Sequence, residues 1–154
     1  MIEFERLSQY RENVWLEAKK AQGGLPHSLW ETYSAFANTE GGLILLGVAE
    51  QEDKSFASVP VRDIRWLMDE FWLQLGVPGT VSADILTQDD VYFAQSGANR
   101  ILVIAVPPAP ARLRPVYIGP DLYTGSYYRS GEADLRMSRQ QVDALLAARQ
   151  TAEE

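Results

Sequence analysis

The chain of 154 residues contains no cysteine and a single histidine, His27. Without thiols there is no disulfide scaffold, no thiolate-ligated zinc and no cysteine nucleophile. One imidazole does not build a histidine-rich metal site, and His27 stands just before a helix start rather than in a Ser-His-Asp setting. The absence of cysteine suits a reducing compartment, so a cytoplasmic location is expected. No apolar run approaches the roughly 18 residues that read as a membrane span. The start, Met1-Ile2-Glu3-Phe4-Glu5-Arg6, lacks the basic and apolar regions of a signal peptide, and none is expected. Positive charge is scarce as well. Fourteen Lys and Arg stand against 21 Asp and Glu, a formal net charge of -7. That excludes a protein that coats nucleic acid by bulk positive charge.

What remains is ordinary globular composition, 46% hydrophobic, 10% aromatic and 23% charged. A chain of this length buries roughly 70% of its unfolded surface and folds without staples. Residues 1–150 are read as a single domain and 151–154 as a tail. There is no internal repeat and no low-complexity segment.

Residues 3–10 read as a short helix and 13–21 as a strand, with Glu17 and Lys19 on one face and Leu16 and Ala18 on the other. Ser28 and Glu31 have the spacing of a capping box. Leu29, Trp30, Tyr33, Phe36 and Ala37 follow at helical spacing, and Asn38 and Gly41-Gly42 end that helix. Leu43 to Val48 is a continuous apolar run, the pattern of a strand covered on both faces. Residues 50–60 read as a polar loop. Ile64, Leu67, Met68, Phe71, Trp72 and Leu75 mark an amphipathic helix. One or two strands are expected over 81–94 and another over 101–106. Four prolines between 107 and 115 mark a rigid connection. Short strands follow at 116–118 and 125–129, then a second capping box at Ser138 and Gln141 and a C-terminal helix. The fold class is α+β: a mixed β-sheet with a βαβα start, later meander strands and a C-terminal helix. The four tryptophans are read as packing residues.

Charge is uneven along the chain. Residues 1–99 carry -8 and residues 100–154 carry +1, and the chain has 11 Arg but only 3 Lys. Arg112, Arg114, Arg129, Arg136 and Arg139 surround the proline-rich connection and the Tyr127-Tyr128 pair. Guanidinium groups suit bidentate phosphate contact, and tyrosine rings suit base stacking. The competing reading pairs these arginines with Glu132 and Asp134 and lays their stems over the sheet.

Ala35-Phe36-Ala37-Asn38-Thr39-Glu40-Gly41-Gly42, followed by Leu43 to Val48, resembles the Schlafen/AlbA-type DNA-binding domain found at the N-terminus of bacterial transcriptional-regulator-like proteins. Three further pieces match in order. Glu12, then Glu17-Ala18-Lys19, resembles the family's opening strand. Leu25-Pro26 precedes its first long helix. Pro115 to Ile118, then Gly125 to Gly131, resembles its closing strands. The resemblance covers nearly the whole chain and implies a regulatory domain that binds DNA or RNA.

It also implies a second reading. Glu12, Glu17 and Glu50 match the acidic set with which a nuclease branch of the family cleaves RNA using Mg²⁺ or Mn²⁺, cations that take hard oxygen ligands. The departures are Glu50, where that branch has aspartate, and a single lobe where it has two. Ion pairing of Glu12 and Glu17 with Arg11, Lys19 or Lys20 is the competing structural reading. Asn38, Thr39, Gly41 and Gly42 form the family's structural motif. Gly41-Gly42 suit either a helix stop or the close approach of a phosphate, but there is no P-loop or dinucleotide fingerprint. The first expectation is therefore nucleic-acid binding that is weak and salt-sensitive, through Arg112, Arg114, Tyr127, Tyr128, Arg129, Arg136 and Arg139. The alternatives are a metal-dependent endoribonuclease and a protein-interaction or homodimerisation module.

Overall fold

The computed structural model describes residues 2–153; Glu154, the last residue of the expected tail, and Met1 lie outside them. Strands β1 (Leu16–Lys19), β2 (Gly42–Leu46), β5 (Val91–Ser96) and β6 (Asn99–Val106) form the central sheet, in the order β1-β2-β6-β5. β1 runs parallel to β2, and both remaining pairs are antiparallel. The mixed sheet expected for an α+β protein is present. β1 and β2 are joined through helix α1 (Leu29–Ala37), because parallel neighbours need a crossover connection.

The apolar run of β2 is explained by layers on both sides. Ile44 and Leu46, with Leu102 and Ile104 of β6, face α1 and helix α2 (Ile64–Leu75). Leu45, with Ile101 and Val103 of β6, faces the opposite layer. That layer is built from the 3₁₀ turn Phe4–Gln9 and the hairpin of β3 (Val48–Glu50) and β4 (Phe56–Ser58). Gly47, at φ +94°, is the pivot where the chain leaves the central sheet for this hairpin. The expected polar loop of residues 50–60 is thus partly a strand, and the expected strand of 43–48 divides in two at Gly47.

Other boundaries also move. Residues 81–87 hold no strand, and Tyr117 makes only an isolated bridge to Ser126. A four-residue helical turn, α3 (Leu122–Gly125), precedes β7 (Tyr127–Ser130), which pairs with β8 (Ala133–Arg136). Helix α4 runs over Arg139–Glu153. Its capping box forms as expected: the Ser138 N–H donates to Gln141 Oε1 and the Gln141 N–H to Ser138 Oγ. The box expected at Ser28 and Glu31 does not form. Ser28 itself has helical backbone angles, and its hydroxyl accepts from Lys19 Nζ. Asp63 is the effective cap of α2, accepting from the Trp66 N–H at 2.9 Å. The tryptophans divide. Trp30 is buried and stacks on Phe71 with centroids 5.2 Å apart, and Trp72 packs beside them. Trp15 and Trp66 are 42% and 50% exposed.

Candidate nucleic-acid interface and its buried arginine

Helix α1 lies between two different neighbours. One flank, carrying Trp30 and Tyr33, packs on α2 in an apolar contact. The other flank meets β7 and β8 through polar side chains. Ser34 Oγ donates to the Val116 carbonyl at 2.7 Å and accepts from the Tyr127 N–H at 3.0 Å. Asn38 is one turn later. Its Oδ1 accepts from the Val116 N–H at 2.7 Å, and its Nδ2 donates to the carbonyls of Val116 and Tyr127 at 2.8 and 2.9 Å. Its amide therefore acts as a short piece of strand edge for two segments about 80–90 residues away in sequence. The Thr39 hydroxyl donates to Ala35 O and accepts from the Arg129 N–H.

The same motif explains its glycines by space. A Cβ at Gly41 (φ +77°) meets Pro108 Cδ and Val106 O, both at 2.8 Å. One at Gly42 meets Trp15 O at 2.7 Å and the Phe36 ring at 2.8 Å. Close packing of the helix end onto β1 and β6 accounts for both residues.

Arg129 is the centre of this seam. It enters from β7, its side chain is wholly buried, and every guanidinium N–H has an acceptor. Nε donates to Asn13 O at 3.1 Å, and Nη2 to Asn13 O and Leu16 O at 2.9 and 3.0 Å. Nη1 donates to Glu17 Oε1 at 3.0 Å and Asp134 Oδ1 at 2.8 Å. The Phe36 ring lies 4.9 Å from the guanidinium carbon. The group ties β1, α1, β7 and β8 together. Arg114 and Arg149 have a related use. Arg114 donates to the carbonyls of Ala109, Asn38 and Thr39, and Arg149 to those of Leu113, Arg114 and Pro115.

The remaining candidates stand outside. Arg112, Arg136 and Arg139 are exposed, and Tyr128 is half-buried beside α4. Arg139 lies 3.9 Å above the Tyr123 ring, and Arg136 lies 5.9 Å from the ring of Tyr127, which is itself buried. Neither is in an ion pair with a carboxylate among the described residues.

Glu12 and Glu17 do come together. Glu12 accepts from the Ala18 N–H at 3.1 Å and lies within hydrogen-bond reach of Glu17. Partial burial, then this contact with Glu17 and, least, the charge of Glu50, push the Glu12 carboxyl up to about 8. A carboxyl raised that far keeps Glu12 in its neutral form at neutral pH, beside Glu17. Glu17 is committed to Arg129, and Glu50 lies 3.4 Å from Lys54. Among the described residues no three carboxylate or imidazole side chains gather closely enough to hold a metal ion.

Sequence reasoning missed Ser34 and Asn13 in this seam. Ser34 and Asn38, four residues apart on a helix otherwise lined with apolar side chains, are the available signal. Asn13 contributes only its carbonyl to Arg129, which no side-chain pattern reveals.

Comparison with known proteins supports the same architecture. The chain superposes on the N-terminal domain of a protein of Nitrosomonas europaea named as related to the ATP-dependent DNA helicase RecG, with a TM-score of 0.54 and 25% identity over 80% of this chain and 81% of that one. It also superposes on the DIP2311 protein of Corynebacterium diphtheriae, with a TM-score of 0.57 and 18% identity, covering 88% of this chain but 24% of that protein. No curated protein matches. Residues 7–138 match the family described as Schlafen, AlbA_2. With that match spanning the sheet, the Asn38–Gly42 motif and the Arg129 seam, the chain belongs to the Schlafen, AlbA_2 family.

Proposed function

We propose that this domain binds nucleic acid, DNA or RNA, in a regulatory role of the transcriptional-regulator type. The contact surface is the exposed arginine face at the start of α4 and on the 111–113 turn. One observation carries the reading. Within an acidic chain, Arg136 and Arg139 stand exposed without carboxylate partners among the described residues, 5.9 and 3.9 Å from the rings of Tyr127 and Tyr123. A guanidinium free of carboxylates presents a planar fork that matches phosphate bidentately. Tyr128, beside the cleft between β7 and α4, adds an aromatic surface. Of the other residues expected at the contact, Arg114 and Arg129 are engaged inside the domain and Tyr127 is buried. The family and the helicase-related neighbour agree with the reading without identifying a target.

The test is fluorescence anisotropy of labelled DNA and RNA at low salt, with EDTA or Mn²⁺. Binding by the parent, weakened severalfold in an Arg136→Ala/Arg139→Ala variant, is the expected result. No binding by the parent at low salt removes the proposal and leaves an interaction module, for which solution mass reports a homodimer. Cleavage with Mn²⁺, abolished by Glu17→Ala, assigns the acidic set a nuclease role instead.

A further inference from the structure

On the other flank of α1, at the start of α2, the exposed Trp66 lies over the loop of residues 21–24. A Cβ placed on Gly24 meets the Trp66 ring edge at 3.9 Å. Between loop and helix is an open cavity of about 320 Å³, lined by Ala21, Gly23, Gly24, Arg62, Asp63 and Trp66. A second cavity of about 450 Å³ continues along the same loop from Lys20 to His27. The loop is held to the α2 approach by Gln22 Nε2, which donates to Pro60 O at 2.9 Å.

The chemistry of this trough differs from that of the molecule as a whole. Arg62 lines the first cavity and Lys20 the second, against one lining carboxylate, Asp63, which is occupied in capping α2. Lys20, Arg62 and Arg65 have no carboxylate partner within 4.0 Å among the described residues. A half-exposed indole beside Arg62 and Lys20 sets a flat aromatic face next to positive charge, which suits an anion with a flat apolar part.

We infer that the Trp66 trough is a binding site for single-stranded nucleic acid, with one base stacked on the indole and the flanking phosphates on Arg62 and Lys20. The first cavity, about 320 Å³, has room for a base, and the second gives the strand a path onward. A duplex does not satisfy the site, because its bases are already stacked. This site is independent of the arginine face of Arg136 and Arg139, which lies beyond the opposite flank of α1.

The test separates the two faces. In the Arg136→Ala/Arg139→Ala background, a fluorescein-labelled twelve-nucleotide oligothymidylate is titrated by anisotropy. Trp66→Ala is expected to weaken the remaining binding at least fivefold, Trp66→Phe to restore most of it, and Arg62→Ala to weaken it severalfold. Oligothymidylate quenches tryptophan emission in the parent and much less in Trp66→Phe. Circular dichroism confirms that the variants fold. Unchanged binding by Trp66→Ala overturns the inference, as does equal competition by inorganic phosphate, by a duplex of the same length or by an acidic peptide. Loss of binding confined to the Arg136/Arg139 change sinks the trough but not the proposed function; loss confined to Trp66 does the reverse.

Discussion

The arginines of the last third fall into two groups with opposite physical lives. Arg114, Arg129 and Arg149 donate to backbone carbonyls and, for Arg129, to two carboxylates. Arg112, Arg136 and Arg139 stand at the surface. Residue type and position in the chain are shared by both groups, since Arg129 is only seven residues from Arg136. What differs is the partner brought from elsewhere. β7 places Arg129 against the start of β1, where the Asn13 and Leu16 carbonyls accept from it; β8 leaves Arg136 exposed. Three of these arginines serve as internal fasteners, and three remain at the surface.

Substitutions break this contrast in order of expected size. Arg129→Ala removes the one cation that faces Glu17 and Asp134 and leaves the Asn13 and Leu16 carbonyls with only each other's N–H, and costs about 3–5 kcal/mol in urea unfolding. Wild-type stability for this variant would show that the network contributes little. Asn38→Ala strands two backbone groups, the Val116 N–H and the Tyr127 carbonyl, while Ser34 still serves the Val116 carbonyl, and it costs about 2–3 kcal/mol by the same measurement. An unchanged midpoint would argue that water replaces the amide.

Glu12 offers a pH test. Its carboxyl is raised in the folded state, so its contribution to stability is fully present below its ordinary value of 4.5 and is lost as pH rises through about 8. Glu12→Gln keeps the neutral form and both hydrogen bonds. Allowing for its partial exposure, the variant gains about 1 kcal/mol over the parent at pH 9 and little at pH 5. A pH-independent difference contradicts the account of a neutral Glu12. The smallest stability change, within about 0.5 kcal/mol, belongs to Arg136→Ala and Arg139→Ala, whose effect is on binding.

The sequence made some of these features legible and hid others, for local reasons. α2 and the Ser138–Gln141 box depend on residues within one or two turns, and both form where expected. The Ser28–Glu31 box fails because Lys19, from the preceding strand, takes the hydroxyl. β4 is three residues long beside the polar run Gln51 to Ser55, so periodicity has too little to act on. Trp66 fits the helical pattern of α2 but sits one position before Leu67 on the exposed side. The motif Asn38-Thr39-Glu40-Gly41-Gly42 was recognisable, yet the work of Asn38 became clear only from partners about 80 residues onward. For the same reason Arg129 looked like Arg136: its acceptors Asn13 and Leu16 are more than a hundred residues away.

The most direct test of the division between buried and exposed arginines is the salt dependence of nucleic-acid binding by the Arg136→Ala/Arg139→Ala variant. The account predicts weaker binding at low salt and a slope of log K against log salt shallower by about 1 to 2, as two phosphate contacts are lost. An unchanged slope and affinity would contradict it, and would place the contact on some other part of the molecule.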